Sequence, residues 1–167
     1  LDRNTTGLLL IAKRPEVQYY FTKHLDAVRR EYLALIEGRL TPASDIIDAP
    51  IARALPSIIL RRVAPDGKPA RTHYTTERTT GRYSLLRLTL ETGRTHQIRV
   101  HLAHLGHPLL GDDLYGCNTD EIARHALHAA RLSLRLPRTG ELLTVESPLP
   151  EDMARIAGTL SPVLSSK

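Results

Sequence analysis

The sequence predicts an α+β fold, with a mainly antiparallel mixed β-sheet and a few flanking helices. Several apolar or alternating segments of strand length follow one another, and turn signals containing Gly, Pro or Asp separate them. Few segments show helical periodicity, and a run of strands with few helices is typical of an α+β domain. With 167 residues, the chain is most simply one domain, residues 1–167.

The first third of the chain predicts a strand, a helix and a second strand. The apolar run Gly7–Lys13 follows a turn-like "DRNTTG" and predicts a buried strand, and Pro15 is suited to the first turn of a helix. "REYLALIEG" (30–38) alternates Tyr32, Ala34 and Ile36 against two leucines and predicts a strand. We expect residues 41–56, which contain prolines and aspartates, to form an irregular surface connection.

Further strand-like segments fill the rest of the chain. Turn signals lie at "PDGKPA" and "TTGR", and Gly140 is placed to form the turn of a hairpin. The predicted strands are "SIILRRVA" (57–64), "RTHYTTER" (71–78), "YSLLRLTLET" (83–92), "RLSLRL" (131–136) and "LLTVES" (142–147).

Charge and composition limit the class of protein. The formal net charge is +5, and only four of the 23 basic residues are lysines. Arginine suits bidentate phosphate contacts, so the charge favours a nucleic-acid partner, although a solvated cationic face stays equally open. No apolar run approaches the roughly 20 residues of a membrane helix, so we expect no membrane partner. The lone Cys117 excludes an intrachain disulfide and favours a reducing cytoplasm.

The segment "ETGRTHQIRVHLAHLGHPLLGDDLYG" predicts a short helix. Thr95 can cap its start and Gly106 can end it in a left-handed conformation. Ile98, Leu102 and Leu105 would form one apolar stripe. In a strand Ile98 and Leu102 would also share a face, so the capping residues decide for the helix.

The four histidines of this segment raise the possibility of a metal site. Asp112 and Asp113 could add oxygen ligands, but the spacing H-x4-H-x2-H-x2-H matches no known ligand pattern. We therefore expect no metal, and expect these histidines to bond to backbone or to RNA. They are His96, His101, His104 and His107.

Three other residues are candidates for chemistry, each with a plain structural alternative. Arg99 lies beside the predicted apolar stripe and must find an anion, either any nearby carboxylate or a working one. Asp2 lies in a turn and could serve only to bond backbone. Tyr32 could be a half-buried aromatic whose hydroxyl is satisfied locally.

Five segments, in this order along the chain, favour the functional roles of these residues over the structural ones. They are "LDRNTTGLLLIAK", "REYLALIEG", "DGKPARTHY", "GRTHQIRVHLA…LGHP…GD…YG" and "LHAARLSL…TGELLTVESPLPEDM". The set resembles the RluA-type RNA pseudouridine synthases, isomerases that convert uridine to pseudouridine in ribosomal or transfer RNA. The resemblance runs from Leu1 to about Met153. It implies the pseudouridine synthase catalytic fold, and a reaction that requires neither cofactor nor metal.

The resemblance also implies roles for individual residues. Asp2 matches the catalytic aspartate, Tyr32 the active-site tyrosine, and Arg99 the arginine that pairs with the aspartate. The reaction breaks the N-glycosidic bond, turns the uracil and joins its C5 to the same sugar. A carboxylate can attack C1′ or stabilise the positive charge that develops there. The candidates for RNA contacts are Arg3, Lys68, Arg94 and His96.

The chain departs from the family pattern at its start. The family's His-Arg before Leu-Asp is absent, so we expect the N-terminal part of the family domain to be missing from this chain. Two other functions stay open: a non-catalytic RNA-binding module on the same scaffold, and a metal-dependent hydrolase using the histidines. We expect a cytoplasmic monomer that acts on rRNA or tRNA.

Overall fold

The structure is a computed structural model that describes residues 1–24, 27–116 and 119–163; Cys117 lies outside them. Three helices are present in this part of the chain: α1 (Pro15–Lys23), α2 (Gln97–His104) and α3 (Glu151–Ala157). The strands are β1 (Thr6–Gly7), β2 (Val28–Glu37), β3 (Ser44–Asp48), β4 (Ile51–Arg53), β5 (Arg61–Val63), β6 (Arg71–Thr79), β7 (Tyr83–Leu90), β8 (Leu127–Arg135), β9 (Leu142–Glu146) and β10 (Ser161–Pro162).

A mixed, mainly antiparallel sheet of eight strands forms the centre of the fold. Its order is β1-β8-β2-β7-β6-β10, with β3 added beside β6 and β9 beside β8. Among the described residues, the β1–β8 pairing is the single parallel one in this sheet. Strands β4 and β5 form a separate hairpin. The predicted α+β class is therefore confirmed, and no helix of the described residues is long and apolar enough to cross a membrane.

The central strand β2 is buried on both faces of the sheet. Tyr32 and Ile36 face a cluster that includes Ile98 of α2. Leu35 faces the opposite cluster, which includes Met153 of α3. The sheet therefore separates two apolar layers, and α2 packs on the same side as Tyr32.

Three predicted elements differ from the structure. Of the first apolar run, Gly7–Lys13, only Gly7 belongs to a strand of the sheet, together with Thr6 before it, and Leu9 and Ile11 are 62% and 73% exposed. Residues 41–56 contain β3 and β4 rather than an irregular connection. Strand β3 escaped prediction because four of its five residues are exposed, which leaves no apolar pattern. In the segment 57–64 only β5 pairs, as the second half of a hairpin.

Helix α2 exists as predicted, but Thr95 does not cap it. The residue before the helix is His96, which adopts a left-handed conformation with φ of 58° and makes no side-chain capping bond. Instead the Gln97 Oε1 atom accepts hydrogen bonds from the Arg94 backbone N–H and the Thr92 hydroxyl. Gly106 has φ of 80° just beyond the end of the helix, as predicted, and Leu105, expected on the buried stripe, is 39% exposed.

Candidate active site

An open cavity of about 580 Å³ lies between the turn before β1, strand β2 and the start of α2. Asp2, Tyr32 and His96 all line it, although they come from separate parts of the sequence. The cavity wall is formed by Leu1, Asp2, Thr5, Val28, Arg30, Tyr32, Leu127 and residues 90–98.

Two threonine–histidine pairs fix the turn that carries Asp2. The backbone N–H of Thr5 donates to the Asp2 carbonyl at 3.0 Å, which closes the turn. The Thr5 hydroxyl lies 2.9 Å from Nε2 of His125, and the Thr6 hydroxyl 2.9 Å from Nδ1 of His128. Both histidines belong to the β8 region and are buried. The turn is therefore anchored to the central sheet immediately after the candidate carboxylate.

Gly7 makes this anchoring possible. Its φ of +101° is one that residues with a side chain rarely adopt, and a Cβ there would lie 2.2 Å from the Ala129 carbonyl oxygen. The same oxygen accepts the backbone N–H of Leu8 at 3.0 Å. The glycine of the opening motif thus allows β1 to lie directly against β8.

Arg99 is almost completely buried, with 3% of its surface exposed. Its Nε and Nη2 donate to the two carboxylate oxygens of Asp112 at 2.8 and 2.7 Å. Its Nη1 lies 3.6 Å from Oδ2 of Asp2. The arginine therefore contacts the candidate catalytic carboxylate, but its closest partner is Asp112, which the sequence had suggested only as a possible metal ligand.

Hydrogen bonds and opposite charge keep both Arg99 and Asp112 ionised although both side chains are buried. Burial alone would lower the pKa of Arg99, but the hydrogen bonds and charge of Asp112, and then the charge of Asp2, raise it above its usual value. Burial would raise the pKa of Asp112, but hydrogen bonds from Arg99 and from the Leu114 N–H lower it. Both groups are consequently ionised at neutral pH.

Tyr115 completes the surroundings of Arg99. The Arg99 guanidinium lies 5.2 Å from the centre of the Tyr115 ring, a cation–π distance. The Tyr115 hydroxyl accepts the backbone N–H of Arg61 at 3.0 Å and lies 2.7 Å from Nδ1 of His96. Tyr115 thus joins the β4–β5 hairpin to the start of α2.

Tyr32 presents a neutral phenol to the cavity. The residue is 7% exposed on β2. Burial raises the pKa of the Tyr32 hydroxyl, Arg30 opposes that change, and Asp2 adds to it. The hydroxyl therefore keeps its proton at neutral pH and can donate a hydrogen bond.

The histidines of the α2 segment have separate partners. His101 is buried between the Thr72 hydroxyl and the Ala49 carbonyl, and burial lowers its pKa. Nδ1 of His107 lies 2.8 Å from the Glu37 carbonyl oxygen. Within residues 1–24, 27–116 and 119–163, no three His, Cys, Asp or Glu side chains are placed to hold a metal ion.

The predicted RNA contacts divide into three groups. Arg94 and His96 line the main cavity. Lys68 and Arg94 line a second cavity of about 480 Å³, which shares residues 93–95 with the lining of the first. Arg3 is exposed next to Asp2 but belongs to the lining of neither cavity. The structure thus brings three of the four candidates to two cavities that share part of their lining.

Sequence reasoning missed Asp112 as the principal partner of Arg99, and it missed Tyr115 and His125 entirely. The available signal was the requirement for an anion near a buried arginine, together with the acidic "GDD" that follows α2. For His125 there was no comparable signal, because its contact with Thr5 joins residues 120 positions apart.

Known proteins share this architecture. Residues 1–104 match the family model described as RNA pseudouridylate synthase. A protein of Bacillus subtilis (strain 168), named as the uncharacterized RNA pseudouridine synthase YjbO, is 44% identical over 93% of this chain and 56% of its own length. Ribosomal large subunit pseudouridine synthase D of Nitrosomonas europaea is 45% identical over 93% of this chain and 48% of its own length.

The structural likeness extends over nearly the whole chain. Human RNA Pseudouridylate Synthase Domain Containing 1 superposes with a TM-score of 0.80 and 30% identity, covering 99% of this chain and 74% of the human one. This chain spans about half the length of the curated relatives it matches. The resemblance inferred from the motifs is confirmed: the chain belongs to the RNA pseudouridylate synthase family, a family of isomerases.

Proposed function

We propose that this chain is the catalytic domain of an RNA pseudouridine synthase in which Asp2 is the catalytic carboxylate. One observation carries the proposal. Asp2, Tyr32 and Arg99 come from three distant segments, yet Asp2 and Tyr32 line one cavity and the Arg99 guanidinium lies 3.6 Å from Asp2. The family membership supplies the reaction that such a group of side chains can perform.

The chemistry requires an ionised, well-aimed carboxylate. Asp2 either attacks C1′ of the target uridine or stabilises the positive charge that forms there when the N-glycosidic bond breaks. The uracil then turns and its C5 bonds to C1′, and any ester bond between Asp2 and C1′ breaks in that step and frees the carboxylate. The proton leaves C5 while N1 takes one up, so atoms balance without a cofactor. Nη1 of Arg99 lies 3.6 Å from Oδ2 of Asp2 and helps to hold the carboxylate in place.

Tyr32 acts on the uracil base rather than on the sugar. The residue forms part of the cavity wall, where an aromatic face can stack on uracil. Its hydroxyl keeps its proton because burial raises its pKa. It can therefore donate a hydrogen bond or pass a proton during the turning of the base.

The target uridine must leave its stack to reach this cavity, which costs a few kcal/mol. Contacts of Arg94, Lys68 and His96 with the RNA backbone at these two cavities offset that cost, and Arg3 contacts RNA outside them. Arg94 is suited to this role because it lines both cavities and its Nε–H donates to the Pro69 carbonyl at 2.9 Å.

Ribosomal RNA is the proposed substrate class. Relatives from Nitrosomonas europaea and Haemophilus influenzae, 45% and 42% identical, are named ribosomal large subunit pseudouridine synthase D. We therefore place the target uridine in large-subunit rRNA rather than in tRNA. A cytoplasmic location and a monomeric state remain predictions, which cell fractionation and sedimentation would test.

The experiment is to delete the gene and map pseudouridines in total RNA before and after complementation. We expect one or more rRNA pseudouridines to disappear, to return with the unsubstituted gene, and not to return with an Asp2→Asn gene. Loss of a tRNA pseudouridine instead would correct the substrate class. Unchanged pseudouridine maps, with RNA binding intact, would favour the non-catalytic module.

A further inference from the structure

The carboxylate of Asp112 is held by the backbone of its own loop. Its Oδ1 accepts the N–H groups of Leu114 and Tyr115 at 3.0 and 3.1 Å. The side chain is fully buried. A carboxylate fixed by main-chain donors keeps its place without relying on a flexible partner, so Asp112 is a rigid anchor rather than a surface charge.

This anchor determines where the Arg99 guanidinium points. Asp112 takes Nε and Nη2 in a bidentate contact at 2.8 and 2.7 Å. Because the guanidinium is planar, fixing two of its nitrogens also fixes the third. That third nitrogen, Nη1, is the one that faces Asp2 at 3.6 Å.

The neighbouring acid, Asp113, cannot do the same. It approaches Arg99 Nη2 at 3.5 Å, but 72% of its side chain is exposed. Exposed charge pairs contribute little and hold no fixed geometry. The two adjacent aspartates thus form a natural comparison: the same charge, one buried and bidentate, the other solvated.

We propose that Asp112 is a positioning residue of the reaction, which holds Arg99 so that Nη1 is directed at the Asp2 carboxylate. The proposal rests on the proposed function for its kinetic consequences, but not for its geometry. Asp112 does not line the cavity, and it acts only through Arg99.

The kinetic test measures tritium release from large-subunit rRNA transcribed with C5-tritiated uridine. Asp112→Asn should lower kcat by about 10²-fold, the cost of misplacing a catalytic group by ~1 Å, and leave KM for the RNA nearly unchanged. Asp112→Glu keeps the charge and the ion pair but shifts the carboxylate, so it too should lower kcat. An Asp112→Glu protein with full kcat would overturn the proposal even if Asp112→Asn fails to fold.

Two matched controls accompany these variants. Asp113→Asn removes the solvated neighbour and should leave kcat within a factor of about two, as expected for an exposed pair. Asp152→Asn breaks another bidentate aspartate–arginine pair, with Arg124 at 2.9 Å for both bonds, and should lower the unfolding temperature without changing kcat. A kcat loss in Asp152→Asn equal to that in Asp112→Asn would mean that Asp112 contributes only to the stability of the fold, and would overturn the proposal.

A spectroscopic test does not depend on activity. In the unsubstituted protein and in Asp2→Asn, the NMR signal of the Arg99 Nε–H should exchange slowly with solvent, because Asp112 holds it. Loss of that signal in Asp2→Asn would show that Asp2 holds the guanidinium and would overturn the proposal. If the unsubstituted protein releases no tritium, the proposed function fails while this measurement still decides the role of Asp112.

Discussion

Replacing Gly7 with alanine should displace the turn that carries Asp2. The new Cβ would lie 2.2 Å from the Ala129 carbonyl oxygen and 2.8 Å from the carbonyl carbon, both of them backbone atoms of β8. Strand β8 lies in the interior of the sheet and cannot move easily. The strain is therefore released by moving β1 and the residues before it.

The size of the effect follows from these distances. Ordinary contact begins at 3.4 Å, so β1 must move by about 1 Å, a displacement that can cost 10²-fold in rate when a catalytic group moves with it. The left-handed φ adds roughly 1–2 kcal/mol for alanine, and overpacking adds about 1–3 kcal/mol. We expect Gly7→Ala to lose about 2–5 kcal/mol of unfolding free energy and most of its turnover.

The assay combines urea unfolding with tritium release from C5-tritiated rRNA. Gly81→Ala is the matched control, because Gly81 also has a positive φ of +86° but a Cβ there would meet nothing within 4 Å among the described residues. Gly81→Ala should lose about 1–2 kcal/mol of unfolding free energy because of the unfavourable backbone conformation alone, with kcat unchanged. Full turnover in Gly7→Ala would refute the claim that the β1–β8 contact positions Asp2.

Three further outcomes are expected. Burial lowers the pKa of His101 and of His125, so the unfolded state binds more protons than the folded state. The unfolding free energy should therefore fall as pH drops below about 6.5, by up to ~1.4 kcal/mol per pH unit for each histidine. An unfolding free energy that stays constant between about pH 7.5 and 5.5 in urea unfolding would contradict this expectation. Arg94→Ala should reduce the slope of log affinity against log salt by about 1 in RNA-binding titrations, and an unchanged slope would remove Arg94 from the RNA interface. Tyr32→Phe keeps the ring and loses the hydroxyl, so kcat should fall by roughly 10²-fold or more with KM unchanged; full kcat would mean that the hydroxyl handles no proton.

Longer strands bounded by turn signals could be predicted from the sequence, and a short, exposed strand could not. β2 and β7 carry apolar residues on both faces, and the end of α2 was marked by Gly106. β3 is an edge strand with one buried residue, and its position is determined by pairing with β6 rather than by its own side chains.

The site shows the same division. Asp2 and Tyr32 could be named as candidates because they lie in short, recognisable motifs. The partnership of Arg99 with Asp112 depends on how the loop after α2 folds back, which no local spacing reveals. The histidines of the α2 segment lie close together in the sequence but contact different partners, such as Thr72 for His101. Their spacing therefore did not indicate a shared site.

The most direct test of the account is the turnover of Asp2→Asn on rRNA labelled with C5-tritiated uridine. Asp45→Asn, a substitution of an exposed aspartate in β3, serves as the control for loss of one carboxylate. We expect the unsubstituted protein and Asp45→Asn to release tritium, and Asp2→Asn to bind the same RNA and release none. Tritium release by Asp2→Asn at the rate of the unsubstituted protein would contradict the assignment of Asp2 as the catalytic carboxylate.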